Sequence, residues 1–149
     1  MANQSPEQDL IDDFVAHLKK DSRDEFCPKD EFTNTNCKVK KWADVEFVSK
    51  SGKHWVIEAK SNDSKDAHNT VHKIFGELLK ETGRKNRNNC SYGILIPKSG
   101  KEFYSRLFKS IKREKFIGFG QLIPVEAVFL SDSTGFEKFT WTELYDFYK

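Results

Sequence analysis

The chain has little of several things. It has one methionine, four prolines and three cysteines in 149 residues, and no apolar run approaches the roughly 20 residues a membrane span needs. Cys27, Cys37 and Cys90 are odd in number and lack CxxC spacing, which argues against a disulfide framework or a four-cysteine zinc site and leaves them as reduced thiols. The opening Met-Ala-Asn-Gln-Ser-Pro-Glu lacks the basic and then apolar regions of a signal peptide, so the expected location is the cytoplasm, with no membrane as partner. No repeat, low-complexity stretch or linker divides the chain. With 37% hydrophobic and 32% charged residues, it reads as one folded domain over 1–149 rather than a disordered segment.

Charge is the first positive signal. The net value of +2 hides a segregation: residues 1–31 hold nine acids against four bases, whereas 73–115 hold twelve bases against four acids. Such a block suits a face for a polyanion, or the solvated sides of two amphipathic helices. The basic residues expected to contact such a polyanion, nucleic acid among the candidates, are Lys80, Arg84, Lys85, Arg87, Lys109, Lys112 and Arg113. Each phosphate contact among them would contribute about one to the salt slope of binding.

Periodicity outlines the elements. Ser5 is a good N-cap, Pro6 suits the first helical position, and Leu10, Ile11, Phe14, Val15 and Leu18 form one apolar stripe. Residues 21–37 are polar and irregular. Trp42–Val48 and His54–Lys60 read as the arms of a hairpin joined by Ser49–Lys53, a turn containing Gly52. A helix is expected over 68–81 with Val71, Ile74, Phe75, Leu78 and Leu79 inward and Gly83 ending it. Strands at 92–96 and 123–130, a helix at 101–112 burying Phe103, Leu107, Phe108 and Ile111, and a closing helix at 140–148 complete an α/β domain. The expected architecture is a mixed central sheet with helices on both sides and the hairpin at its centre.

The informative constellation is Asp44, thirteen residues, then Glu58-Ala59-Lys60. Strand alternation puts Glu58 and Lys60 on one face, and a neighbouring strand can bring Asp44 beside them. Two carboxylates suit a hard cation such as Mg²⁺, and an adjacent ammonium suits a metal-bound water or a phosphate gathering charge. A second acid-x-Lys triplet, Asp63-Ser64-Lys65, lies in polar sequence with no partner upstream. A surface ion pair of Glu58 with Lys60 or Lys53 is the alternative for the first. His68 and His72 sit four apart on the following helix, but Asn69 stands where zinc proteases carry glutamate, so they read as exposed helix-start residues or phosphate contacts. Trp42 and Trp55 are expected in the core.

In this order of elements and motif residues, over about 5–98, the chain resembles the PD-(D/E)xK nuclease superfamily, the restriction endonuclease-like fold shared with Holliday-junction resolvases. The resemblance implies a metal-dependent hydrolase, a DNA-binding endo- or exodeoxyribonuclease that cleaves phosphodiester bonds. By it, Asp44, Glu58 and the carbonyl of Ala59 would hold Mg²⁺ (or Mn²⁺ as a substitute), Lys60 would serve the nucleophilic water, and Glu7 matches an acid many members direct at the same site. Glu7 is equally an ordinary first-turn residue favoured by the helix dipole. Ala43 stands where the name motif has proline, and the 68–81 helix lacks the Gln-x-x-x-Tyr of the exonuclease-like branch. The alternative class is a catalytically inactive module of the same shape that binds nucleic acid or a protein. Sequence specificity in so short a chain would call for a homodimer or a protein partner.

Overall fold

A computed structural model describes residues 5–39, 41–61, 67–83, 89–123 and 125–147. The elements are α1 (Pro6–Lys19), β1 (Val45–Val48), β2 (His54–Ala59), α2 (Ala67–Thr82), β3 (Cys90–Pro97), α3 (Lys101–Phe108), α4 (Arg113–Leu122), β4 (Val125–Asp132), β5 (Gly135–Phe139) and α5 (Trp141–Phe147), with one 3₁₀ turn at Lys98–Gly100. Among the described residues no helix is long and apolar enough to cross a membrane.

Local chemistry explains where α1 begins. The Ser5 hydroxyl accepts a hydrogen bond from the Gln8 amide at 3.2 Å and so caps α1, whose stripe from Leu10 to Leu18 is buried. At the hairpin, β1 and β2 pair antiparallel with Val45 opposite Ile57 and Val48 opposite His54, and the turn has Gly52 at φ +89°. The first arm is shorter than the alternation suggested: Trp42 and Ala43 lie in a bend before the strand. The Ala43 carbonyl accepts from Asn34 Nδ2 at 2.7 Å and the Ala43 amide donates to Glu46 Oε1 at 3.3 Å.

Five strands form one mixed sheet in the order β1-β2-β3-β4-β5, antiparallel at both ends and parallel between β2, β3 and β4. The hairpin therefore lies at an edge, which corrects the expectation of a central position. Each later strand is added beyond the last, on the side away from β1. The middle strand β3 is buried on both faces, hence its unbroken run Tyr92-Gly93-Ile94-Leu95-Ile96. The outer edge of β1 is met by the irregular 23–36 segment: Lys29 donates to the Val48 carbonyl, Thr33 to that of Glu46, and the Glu46 amide donates to the Asn34 carbonyl.

Two cores flank the sheet. On one face α1 packs against Val45, Phe47, Trp55, Ile57, Leu95 and Phe129. On the other, Val56, Ile94, Ile96, Val128 and Leu130 meet Ile74 and Leu78 of α2, Tyr104 and Phe108 of α3, Phe116 of α4, and Trp141 and Leu144 of α5. Trp141 stacks on Phe116 with centroids 4.1 Å apart, and a Cβ at Gly120 would overlap its indole. Further details differ from the sequence reading. The 101–112 helix stops at Phe108, a separate helix α4 follows it, and β5 is an additional strand. Leu79 is 57% exposed rather than inward, whereas Phe75 is half-buried; Phe103, Leu107 and Ile111 are likewise only half-buried.

Candidate active site

Continuing the hairpin register one residue past Val45↔Ile57 brings Asp44 opposite Glu58. The Asp44 carboxylate accepts the Ala59 amide at 2.9 Å through Oδ2, and its side chain is hydrogen-bonded to that of Glu58. Asp44 and Glu58 thus lie on the same sheet face, as the alternation required. Glu58 is only 6% exposed. Burial pushes its carboxyl up to about 10, aided by the charges of Asp44 and Glu77, the hydrogen bond to Asp44 and the charge of Glu81. Asp44 is raised by burial and the Glu77 charge, against the opposing pull of the Ala59 amide, the Glu58 hydrogen bond and Lys60. Two adjacent ionised carboxylates repel by about 4 kcal/mol at 4 Å in a medium of effective dielectric 20, so the pair retains a proton between them.

Lys60 follows β2 directly. Its amide extends the parallel pairing by donating to the Leu95 carbonyl at 2.9 Å, and the Tyr104 hydroxyl of α3 donates to the Ser61 carbonyl, fixing the exit of the strand. The Lys60 ammonium donates to Glu77 Oε1 of α2 at 2.8 Å. Burial works against its charge, but the hydrogen bond and charge of Glu77, with Glu7 and Asp44 beyond, raise its pKa on balance.

These side chains line a pocket of about 250 Å³. Glu7, Asp44, Glu58, Glu77 and Glu81 supply five carboxyl groups, against the ammonium groups of Lys60 and Lys80. Cys37, Val39 and Trp42 complete the wall. The loop carrying Cys37 is tied to α1, since Gln8 accepts the Cys37 amide at 3.0 Å and donates to the Thr35 carbonyl at 2.8 Å. Five residues expected from sequence (Glu7, Asp44, Glu58, Lys60 and Lys80) line this pocket, and Ala59 contributes its amide to Asp44. Glu77 and Glu81 were not anticipated. Their signal was an acidic i, i+4 pair on the helix after the motif, flanking Lys80.

The remaining expectations divide. Trp55 is fully buried, its indole donating to the Glu25 carbonyl at 2.9 Å, whereas Trp42 lies half-buried at the pocket rather than in the core. Of the basic group, Lys80 is at the pocket, and Arg84, Lys85 and Arg87 lie outside the described residues. Lys109 and Lys112 are exposed, with the Lys109 ammonium 5.2 Å from the centre of the Tyr145 ring. Arg113 grips Asp146 through two hydrogen bonds of 3.0 and 2.9 Å, so a phosphate there would have to displace a carboxylate. The Asp63–Lys65 triplet and the side chains of His68 and His72 also lie outside what the structure describes.

Among the described residues, no three His, Cys, Asp or Glu side chains converge tightly enough to hold a metal ion alone. The donor set is instead the paired carboxyl groups of Asp44 and Glu58, with the Ala59 amide bonded to Asp44. That chemistry fits Mg²⁺, which takes one or two carboxylates and fills its remaining positions with water and phosphate oxygens. No family model, curated protein or solved structure matches the chain.

Proposed function

We propose that the chain is a Mg²⁺-dependent nuclease of the restriction endonuclease-like kind, hydrolysing phosphodiester bonds in DNA. The observation that carries this reading is the buried Asp44–Glu58 pair opening onto an acid-rich pocket with Lys60 beside it. A module built only to bind nucleic acid gains nothing from five carboxyl groups facing a phosphate. A divalent cation in place of the shared proton would remove one further unit of that negative charge and present a positive centre to a phosphate oxygen.

Asp44 and Glu58, with the Ala59 carbonyl, would hold the ion. When bound, Mg²⁺ would supply charge neutralisation at the phosphate and a water of lowered pKa. Lys60 would exchange its bond to Glu77 for the attacking water or a phosphate oxygen, where its charge counts most in the transition state. Glu77 and Glu7 would then keep that ammonium protonated and oriented, while Lys80 at the pocket wall would meet the adjoining backbone phosphate.

Incubating the protein with supercoiled plasmid and short duplexes, in Mg²⁺, Mn²⁺ or EDTA, tests the reading. Cleavage is expected with either cation and none in EDTA. Asp44→Ala and Glu58→Ala should each lower the rate at least 10³-fold, with unchanged circular dichroism and no weaker DNA binding. DNA that shifts on a gel yet survives every condition would replace the nuclease with the binding module.

A further inference from the structure

The far end of the same hairpin face carries a second cluster. Cys90 Sγ lies 3.5 Å from His54 Nδ1, and His54 Nε2 lies 3.0 Å from Glu46 Oε2. The sheet register creates this line: His54 pairs directly with Cys90 across β2 and β3, while Glu46 pairs with Val56, the next residue after His54 on that face. Glu46 is 1% exposed, and its other oxygen accepts the Ala43 amide. With Glu46 ionised, and so only accepting hydrogen bonds, His54 would carry its proton on Nε2 and turn the Nδ1 lone pair to the thiol. Acid, imidazole and thiol in that order form the arrangement that activates a cysteine nucleophile, the acid orienting the base and the base taking the proton.

We propose that Cys90 is a reactive thiol primed by His54 and Glu46, and a modification site for small hydroperoxides. His54 takes the thiol proton; the thiolate attacks the distal peroxide oxygen; the O–O bond breaks as the S–O bond forms. Sulfur is oxidised by two electrons to the sulfenic acid, and the peroxide is reduced. The departing alkoxide or hydroxide collects the imidazolium proton and leaves as alcohol or water. Cys90 and His54 are each half-buried, which admits a small reagent more readily than a polymer. The other thiols have different neighbours: Cys27 is buried against the Pro28 carbonyl at 3.9 Å, and Cys37 faces the Ser5 hydroxyl at 3.8 Å. Lys53 and Glu126, the charged pair nearest His54 and Ser91 in sequence and register, join Glu25 on the opposite, α1-side face of the sheet. Glu46 and His54 are the titratable groups that β1 and β2 bring to this thiol, and its other side packs against the helical core. None of this depends on the nuclease reading.

Iodoacetamide labelling of the reduced full chain, followed by peptide mass spectrometry at each cysteine, supplies the test. At about pH 6.5 Cys90 should react at least tenfold faster than the equally half-buried Cys37, with its rate flattening to a plateau at low pH. An ordinary thiol, of pKa about 8.5, loses close to tenfold per unit there. His54→Gln should slow Cys90 about tenfold and leave Cys37 unchanged. Equimolar hydrogen peroxide with dimedone should trap the sulfenic acid at Cys90. Equal rates at Cys90 and Cys37, or a Cys90 rate unaltered by His54→Gln, would overturn the proposal. Should that variant not fold, the wild-type profile decides: a steady rise to about pH 8.5 with no plateau overturns it as well.

Discussion

The hairpin bears charges on both faces, and the two sets are built on opposite rules. On the α1 side, Lys53 at the head of β2 bridges Glu25 at 3.2 Å and also touches Glu126, and Lys138 reaches Glu25 at 3.4 Å. Two lysines and two glutamates each touch an opposite charge, at the rim of the sheet, with about a third of each side chain exposed. On the α2 side, five carboxyl groups share two lysines around a recess, and two of the acids are pressed against each other. The first set is complete within the protein. In the second, Asp44 and Glu58 face each other, and burial together with neighbouring acids raises both, so their protonation rather than an opposite charge sets their energy.

Three substitutions probe the contrast. The largest effect is expected from Lys60→Ala, which should cut the cleavage rate at saturating Mg²⁺ by about 10²-fold or more while metal binding persists. Single-turnover rates with a metal titration check this. A wild-type rate in that variant would reduce the Lys60–Glu77 contact to an ordinary surface ion pair and remove the nuclease reading.

Glu58→Gln acts on stability. Folded Glu58 holds its proton up to about pH 10 against an ordinary value of 4.5. Its contribution is therefore fully present below the ordinary value and is lost as pH rises toward the folded one. Cation-free wild type should lose stability between about pH 5 and pH 9 in urea melts, with Mg²⁺ restoring part of it. Glu58→Gln should flatten the curve and gain about 1–3 kcal/mol at the alkaline end. Parallel curves would show that the acid pair is not a source of strain. The smallest effect belongs to Lys53→Ala: a loss of up to about 1 kcal/mol, weaker in high salt, with cleavage unchanged. A drop in cleavage there would mean the two faces are coupled after all.

How much was legible in the sequence follows the range of the forces involved. Ser5 and its stripe announce α1 because capping and amphipathicity act within a few residues. The Asp44–Glu58 meeting was legible because a five-residue turn fixes the register of a hairpin. Helix α4 was not, since Gly118 and Gly120 weaken its helical pattern, and Gly120 is required by Trp141, 21 positions later. Strand β5 escaped because none of its residues is buried and it shows no alternation to read. Glu77 and Glu81 were visible as letters, but which side of α2 faces Lys60 is decided by packing against the sheet. The edge position of the hairpin likewise depends on where the later strands attach.

The irregular segment before the hairpin has a consequence for life in a crowded solution. An edge strand offers a row of unpaired amide and carbonyl groups, a template on which a second chain can add and aggregation can start. Along β1 the carbonyls of Val48 and Glu46 and the amide of Glu46 are already taken by Lys29, Thr33 and Asn34 of the same molecule. The loop is too irregular to recruit another strand in its turn, its bridges being isolated ones, Asn34 to Glu46 of β1 and Pro28 to Ser49 just beyond it. It closes the sheet at the margin nearest the carboxylate pocket, so the side chains that need an open approach sit beside a backbone that admits none.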